Sequence, residues 1–212
     1  MTPTQYGTVG AVGVGAFILA LTALHVLEPD LSVVDEYLSV YALSDYGWLS
    51  RAADLAMGIG IVAIALGLRK ILAPGKRVTA SWALILVAGL GFIVSGSFDT
   101  DPTNTAEATT SGAIHDLGGY ISMLSLMTAT WLLRGVFKRD TRNHPLARTQ
   151  HWFAILMTAA LLAFVVSEPI LGLTQRALVI TVAAWLIVLA VHITQTQTPA
   201  QTIGPSAHAK RT

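Results

Sequence analysis

The 212-residue chain is 53% hydrophobic and only 12% charged, with a mean hydropathy of +0.62, and it contains no cysteine. Soluble domains carry about 25% charged residues, so the deficit points to burial in lipid. The missing thiols exclude disulfides, iron–sulfur clusters, thiolate metal sites and covalent c-type haem attachment, and a formal net charge of +1 gives no support for nucleic-acid binding.

A membrane span needs about 20 mainly apolar residues. The first run that qualifies is 7–27. The preceding MTPTQYGTVG segment has no basic n-region and no A-x-A site follows, so this run is expected to be a retained helix and not a signal peptide. Gly7, Gly10, Gly13 and Gly15 recur along it, as Gly89, Gly91 and Gly96 do in the third run. Small residues let helices approach closely in lipid; a glycine-lined ligand groove is the alternative.

The first connection holds Glu28, Asp30, Asp35, Glu36 and Asp45, and it is too apolar for a simple linker. Val33, Val34, Tyr37, Leu38, Tyr41 and Ala42 share one helical face, and Ser32 with Asp35 fits a loose capping box. The pattern predicts a short amphipathic helix at the outer interface, with Asp35, Glu36 and Ser39 on its polar side. Such a helix is either an ordinary solvated element or a lid over an outer cavity.

The second run, 47–71, carries Asp54 seven residues from its start, about 10 Å into the membrane at 1.5 Å per residue. A carboxylate at that depth is costly and faces the bundle interior or water. Arg51, one turn earlier, is the expected partner; the pair is either a structural clamp or part of a site. The remaining runs are 79–98, 113–136, 148–171 and 176–196, followed by a polar tail at 198–212 that is expected to be disordered. One six-helix domain, 1–197, therefore accounts for the chain up to that tail.

The connections alternate in charge. Ten of the twelve acids lie on one side: the five above with Asp99, Asp101, Glu107, Asp116 and Glu168. Eleven of the thirteen bases lie on the other: Arg69, Lys70, Lys76, Arg77, Arg134, Lys138, Arg139, Arg142, Arg148, Lys210 and Arg211. Retention of Lys and Arg on the cytoplasmic side predicts a membrane protein with both termini cytoplasmic.

The segments DEYLSVYALSDYGW (Asp35 to Trp48), FDTDP (98–102) and GAIHD (112–116) resemble a bacterial six-helix membrane family, domain-of-unknown-function family 998. Its members carry a Ser-x-Tyr-like segment after the first helix, a Phe-x-x-Asp segment after the third and a Gly-x-x-His segment opening the fourth. The resemblance covers nearly the whole chain, and the family is in turn similar to the eukaryotic DRAM and Sfk-type six-helix proteins. It implies the fold and topology, all-α with six transmembrane helices, and no activity.

Asp99, Asp101, His115 and Asp116 flank the third connection, and Asp35, Glu36, Ser39, Asp45, Arg51 and Asp54 can join them at the outer face. Three readings stay open: a hydrogen-bonded network tying the loops, a pocket for a lipid or small amphiphile, and a hydrolase-like site. In the last, Asp99, Asp101 and His115 would be catalytic, by acid–base chemistry or with a metal whose identity the sequence does not specify. His25 with His115, and His151 with His192, also raise a dihaem carrier. A transporter would need polar groups continuing to the inner half, and most ionisable groups stop in the outer third. The leading reading is amphiphile binding, with membrane lipid, a second copy of the chain or a larger membrane complex as partner.

Overall fold

Thr2 and Gln5 start the first helix ahead of its apolar run. The Gln5 amide donates to the Thr2 hydroxyl (3.2 Å), and the Thr2 amide donates to the Gln5 side-chain carbonyl (2.8 Å). This reciprocal cap, with Pro3 at the first helical position, satisfies donors that the helix itself cannot. A computed structural model describes residues 1–103, 105, 107–140, 144–166 and 170–196. Among them α1 (Pro3–Leu27) is followed by a 3-10 helix (Leu38–Leu43), then α2 (Gly47–Ile71), α3 (Lys76–Ser97), α4 (Thr110–Phe137), α5 (His144–Val166) and α6 (Leu171–Gln195). All six α-helices are long and apolar enough to cross a membrane, and no strand occurs among the described residues. The tail at 198–212 and the Glu168–Pro169 pair lie outside the described residues.

Each helix packs antiparallel on its neighbour in sequence, and α6 returns to α1. Val12, Leu19, Val26 and Ile180 are each more than half exposed on the outer surface, where lipid is their natural solvent. Inside, Val14, Met57, Ile61, Leu126 and Trp185 are fully buried, and the Trp185 indole donates to Gln150 Oε1 at 2.7 Å.

The glycines pack the helices. A methyl at Gly13 would lie 2.5 Å from the Ala56 carbonyl oxygen and 2.8 Å from the Gly60 Cα, so α1 and α2 touch backbone to backbone there. Gly58 meets Gly89 across the α2–α3 seam in the same way, as Gly91 meets Gly118 between α3 and α4.

The first loop departs from its expected form. Ser32 and Asp35 do make the capping interaction: Ser32 Oγ donates to Asp35 Oδ2 (2.6 Å), and the Asp35 amide donates back to Ser32 Oγ (3.2 Å). The turn then ends, because Tyr37 is extended (φ −62°, ψ 151°), and the 3-10 helix Leu38–Leu43 replaces the expected amphipathic α-helix over 33–42. Tertiary bonds explain this. In an α-helix the Leu38 amide would donate to the Val34 carbonyl. Instead it donates to Gln175 Oε1 (2.7 Å), while the Val34 carbonyl accepts the Leu173 amide (3.2 Å).

Overpacking of this kind costs about 1–3 kcal/mol, so Gly13→Ala should lower the thermal midpoint of the purified protein measurably. Gly15→Ala, where nothing lies within 4 Å of the added methyl, should leave it unchanged or slightly raised.

Candidate functional site

A buried cation holds the first loop down. Arg176, near the start of α6, is 7% exposed. Its Nε donates to His25 Nε2 (2.9 Å), and its Nη1 donates to the carbonyl oxygens of Glu36 (2.8 Å) and Gly172 (3.0 Å). The guanidinium also lies over the Tyr41 ring, 5.9 Å from its centre. His25 Nδ1 is 2.6 Å from the Leu21 carbonyl oxygen, which can only accept, so Nδ1 carries the hydrogen and Nε2 is left to accept from Arg176. One side chain thus ties α1, the first loop and α6 together.

Two adjoining cavities lie under this loop. The outer one, about 290 Å³, has Asp101, Asp116, Tyr37, Tyr120 and Phe164 on its walls. The inner one, about 90 Å³, reaches down to Ser50, Asp54 and Phe92. Ser39, His115, Gly119, Met123, Gln175 and Val179 line both.

His115 stands between the cavities with its tautomer set. Its Nδ1 lies 2.8 Å from the Ser95 carbonyl and 3.2 Å from the Phe98 carbonyl, so it donates to them, and Ser95 Oγ donates back to the His115 carbonyl (2.7 Å). Nε2, which carries the lone pair whenever the ring is neutral, has no partner among the described residues. Below it, Asp54 has neither a hydrogen bond nor an ion pair among the described residues. Its placement depends on Gly96, where a methyl would come within 2.9 Å of the Asp54 Cβ. The buried Ser50 hydroxyl is likewise without a partner among the described residues.

The expected Arg51–Asp54 pair does not form. Arg51 Nη1 instead meets Asp99 Oδ1 at 2.6 Å, with both side chains about half exposed (44% and 55%), and Nη2 donates to the Ala42 carbonyl at 3.3 Å. Asp101 accepts the Thr109 amide (2.8 Å) and hydroxyl (2.7 Å), while Thr109 in turn caps α4 by accepting the Gly112 amide (3.0 Å). Glu36 accepts from the Thr103 hydroxyl (2.5 Å) and Ser39 from the Thr100 hydroxyl (3.4 Å), so both fasten the first loop to the third connection. Asp35 is spent on Ser32, Asp45 is exposed, and Asp116 is exposed at the outer cavity.

His115 and Asp101 therefore share a cavity, but Asp99 lines neither and is engaged by Arg51. No group of three or more His, Asp or Glu among the described residues is gathered closely enough to hold a metal ion. His25 has both ring nitrogens engaged and offers no lone pair to a haem iron. Arg176 and Gln175 were missed as sequence candidates. For Arg176 the signal was present, since it and Arg51 are the two bases that fall outside the basic connections.

Fold and cavities together define a polytopic six-helix membrane protein. The chain belongs to the family described as Protein of unknown function (DUF998), whose model matches residues 11–192, from α1 into α6. No curated protein and no solved structure gives a significant match.

The acids fall into bonded and open classes. Asp101→Ala removes two bonds at the start of α4 and should lower stability by about 1–2 kcal/mol, whereas Asp116→Ala should change it by less than about 0.5 kcal/mol. Denaturation midpoints of the two variants in one detergent check this.

Proposed function

We propose that the chain is an inner-membrane protein whose outward-facing pocket binds a lipid or small amphiphile, as a binding subunit of a larger membrane assembly. The alternating charge of the connections supports an acidic outer face with both termini cytoplasmic. The observation that carries the binding reading is the pair of adjoining cavities, polar at Ser39, His115 and Gln175 and apolar at Met123, Phe164, Leu178 and Val179. That division suits a ligand with one polar end and one apolar end. Phe164 belongs to α5, the least enclosed of the six spans, so an apolar tail at that wall has lipid close by.

A second reading rests on His115. An imidazole with a fixed Nδ1–H and an unpartnered Nε2 at a cavity is the geometry a general base requires. It would make the site a hydrolase for headgroups, with Asp101 or Asp116 nearby. Headgroup hydrolysis by the purified protein that is abolished in a folded His115→Gln variant would favour this reading over simple binding.

Gly119 offers a direct test of the pocket. It lines both cavities, and a methyl there meets nothing closer than Ser95 Oγ at 3.7 Å, so a larger side chain can enter the space without a backbone clash. Mass spectrometry of the wild-type protein should find a copurified amphiphile, and Gly119→Leu should retain the fold while losing most of it. Equal occupancy in both proteins, or none in the wild type, would sink the binding reading.

A further inference from the structure

The inner cavity has a composition that selects among amphiphiles. No lysine or arginine lines either cavity, although three carboxylates, Asp54, Asp101 and Asp116, do. Asp101 is engaged by Thr109 and Asp116 is exposed, but Asp54 lies deep in the bundle and meets no partner among the described residues. Asp54 is half-buried, and a carboxylate without a counter-ion at that depth is costly in a membrane. The same small space holds two more unused acceptors, His115 Nε2 and the buried Ser50 hydroxyl oxygen. One anion and two neutral acceptors are the complement of a group with positive charge and several N–H donors.

We infer that the inner cavity binds a primary ammonium group, with Asp54 as its counter-ion and His115 Nε2 and Ser50 Oγ as its acceptors, the apolar part of the ligand lying in the outer cavity. This rests on the pocket proposed above and names its ligand class. A volume of about 90 Å³ admits a methylene-ammonium end, since about 10–15 Å³ of cavity accommodates one water. An ammonium has three donors to place. A trimethylammonium has none, so it leaves both neutral acceptors unpaired and is disfavoured in a site built around hydrogen bonds. The tyrosines of the outer cavity, Tyr37 and Tyr120, add faces that tolerate positive charge on its way in. An anionic headgroup finds no lysine or arginine in either cavity.

The ammonium can be carried by an ethanolamine-type phospholipid or by a free amphiphilic amine. The full chain in nanodiscs of choline phospholipid is titrated calorimetrically with octylamine and with octyltrimethylammonium at neutral pH. Octylamine should bind at least about ten-fold more tightly, and Asp54→Asn, nearly isosteric, should erase the preference. If Asp54→Asn does not fold, Ser50→Ala carries the test and should weaken octylamine several-fold while leaving octyltrimethylammonium unchanged. Equal affinity for the two headgroups, or a preference that survives in folded Asp54→Asn, overturns the inference and leaves the pocket standing. If neither compound binds and no amphiphile copurifies, the pocket reading fails as well. Repeating the octylamine titration in ethanolamine-phospholipid nanodiscs separates the sources. Loss of the signal by competition assigns a lipid headgroup, and an undiminished signal assigns a free amine.

Discussion

A hydrocarbon environment offers no water to a buried polar group, so its partners come from inside the protein, and Arg176 shows how far that constraint shapes the structure. Its guanidinium can only donate: Nε and Nη1 take a histidine nitrogen and two backbone carbonyls, and Nη2 is buried with no partner among the described residues. Each acceptor has a consequence. His25 must hold its proton on Nδ1, which the Leu21 carbonyl secures. The Glu36 carbonyl is withdrawn from local use, and the loop around it is drawn against α6, where a methyl at Gly172 would overlap that oxygen. The Leu38 amide turns to Gln175, so the loop becomes a turn followed by a 3-10 helix that roofs the cavities. The shape of the pocket mouth therefore follows from the needs of one cation.

The floor of the pocket follows from helix spacing. Gly91 and Gly118 let α3 and α4 approach until Ser95 and His115 exchange hydrogen bonds in both directions, hydroxyl to carbonyl and imidazole to carbonyl. The orientation of the His115 ring is thereby referred to the backbone of α3 and not to a mobile side chain. Gly96 brings α3 equally close to α2 beside the Asp54 Cβ. Close packing, which in lipid replaces the hydrophobic drive between helices, is thus also what sets the polar groups of the site.

The spans were legible because an apolar run of about 20 residues is a one-dimensional signal. So was the neighbourhood of the site: the FDTDP and GAIHD segments do meet, through Phe98 with His115 and through Asp101 packed against Gly112. Partner choice was not legible. The i to i+3 rule suggested Arg51 for Asp54 by considering one helix alone, whereas Asp99, remote in sequence, lies closer to the guanidinium. The loop failed for the same reason. Ser32 and Asp35 carry a true capping signal, but its continuation as a helix depended on carbonyls that Leu173 and Arg176 occupy from more than a hundred residues away. Local rules read the start of an element well and its competitors poorly.

Charge sidedness and charge pairing carry different information. At the basic end Lys76, Arg77 and Arg139 border an open crevice, together with Asp140. Interfacial cations in such a setting serve as anchors. At the acidic end the carboxylates divide. Asp99 and Glu36 each bind a group on another segment and so hold the loops together, and Asp101 ties its own connection to the start of α4. Asp54 alone, among the described carboxylates lining the cavities, has neither such a bond nor the open exposure of Asp116. A carboxyl without a partner at that depth either holds a proton or is met by something outside the chain, water or ligand. The network reading of the outer acids accounts for those that are tied. It does not account for Asp54, and the chemistry of the site is to be sought in that remainder.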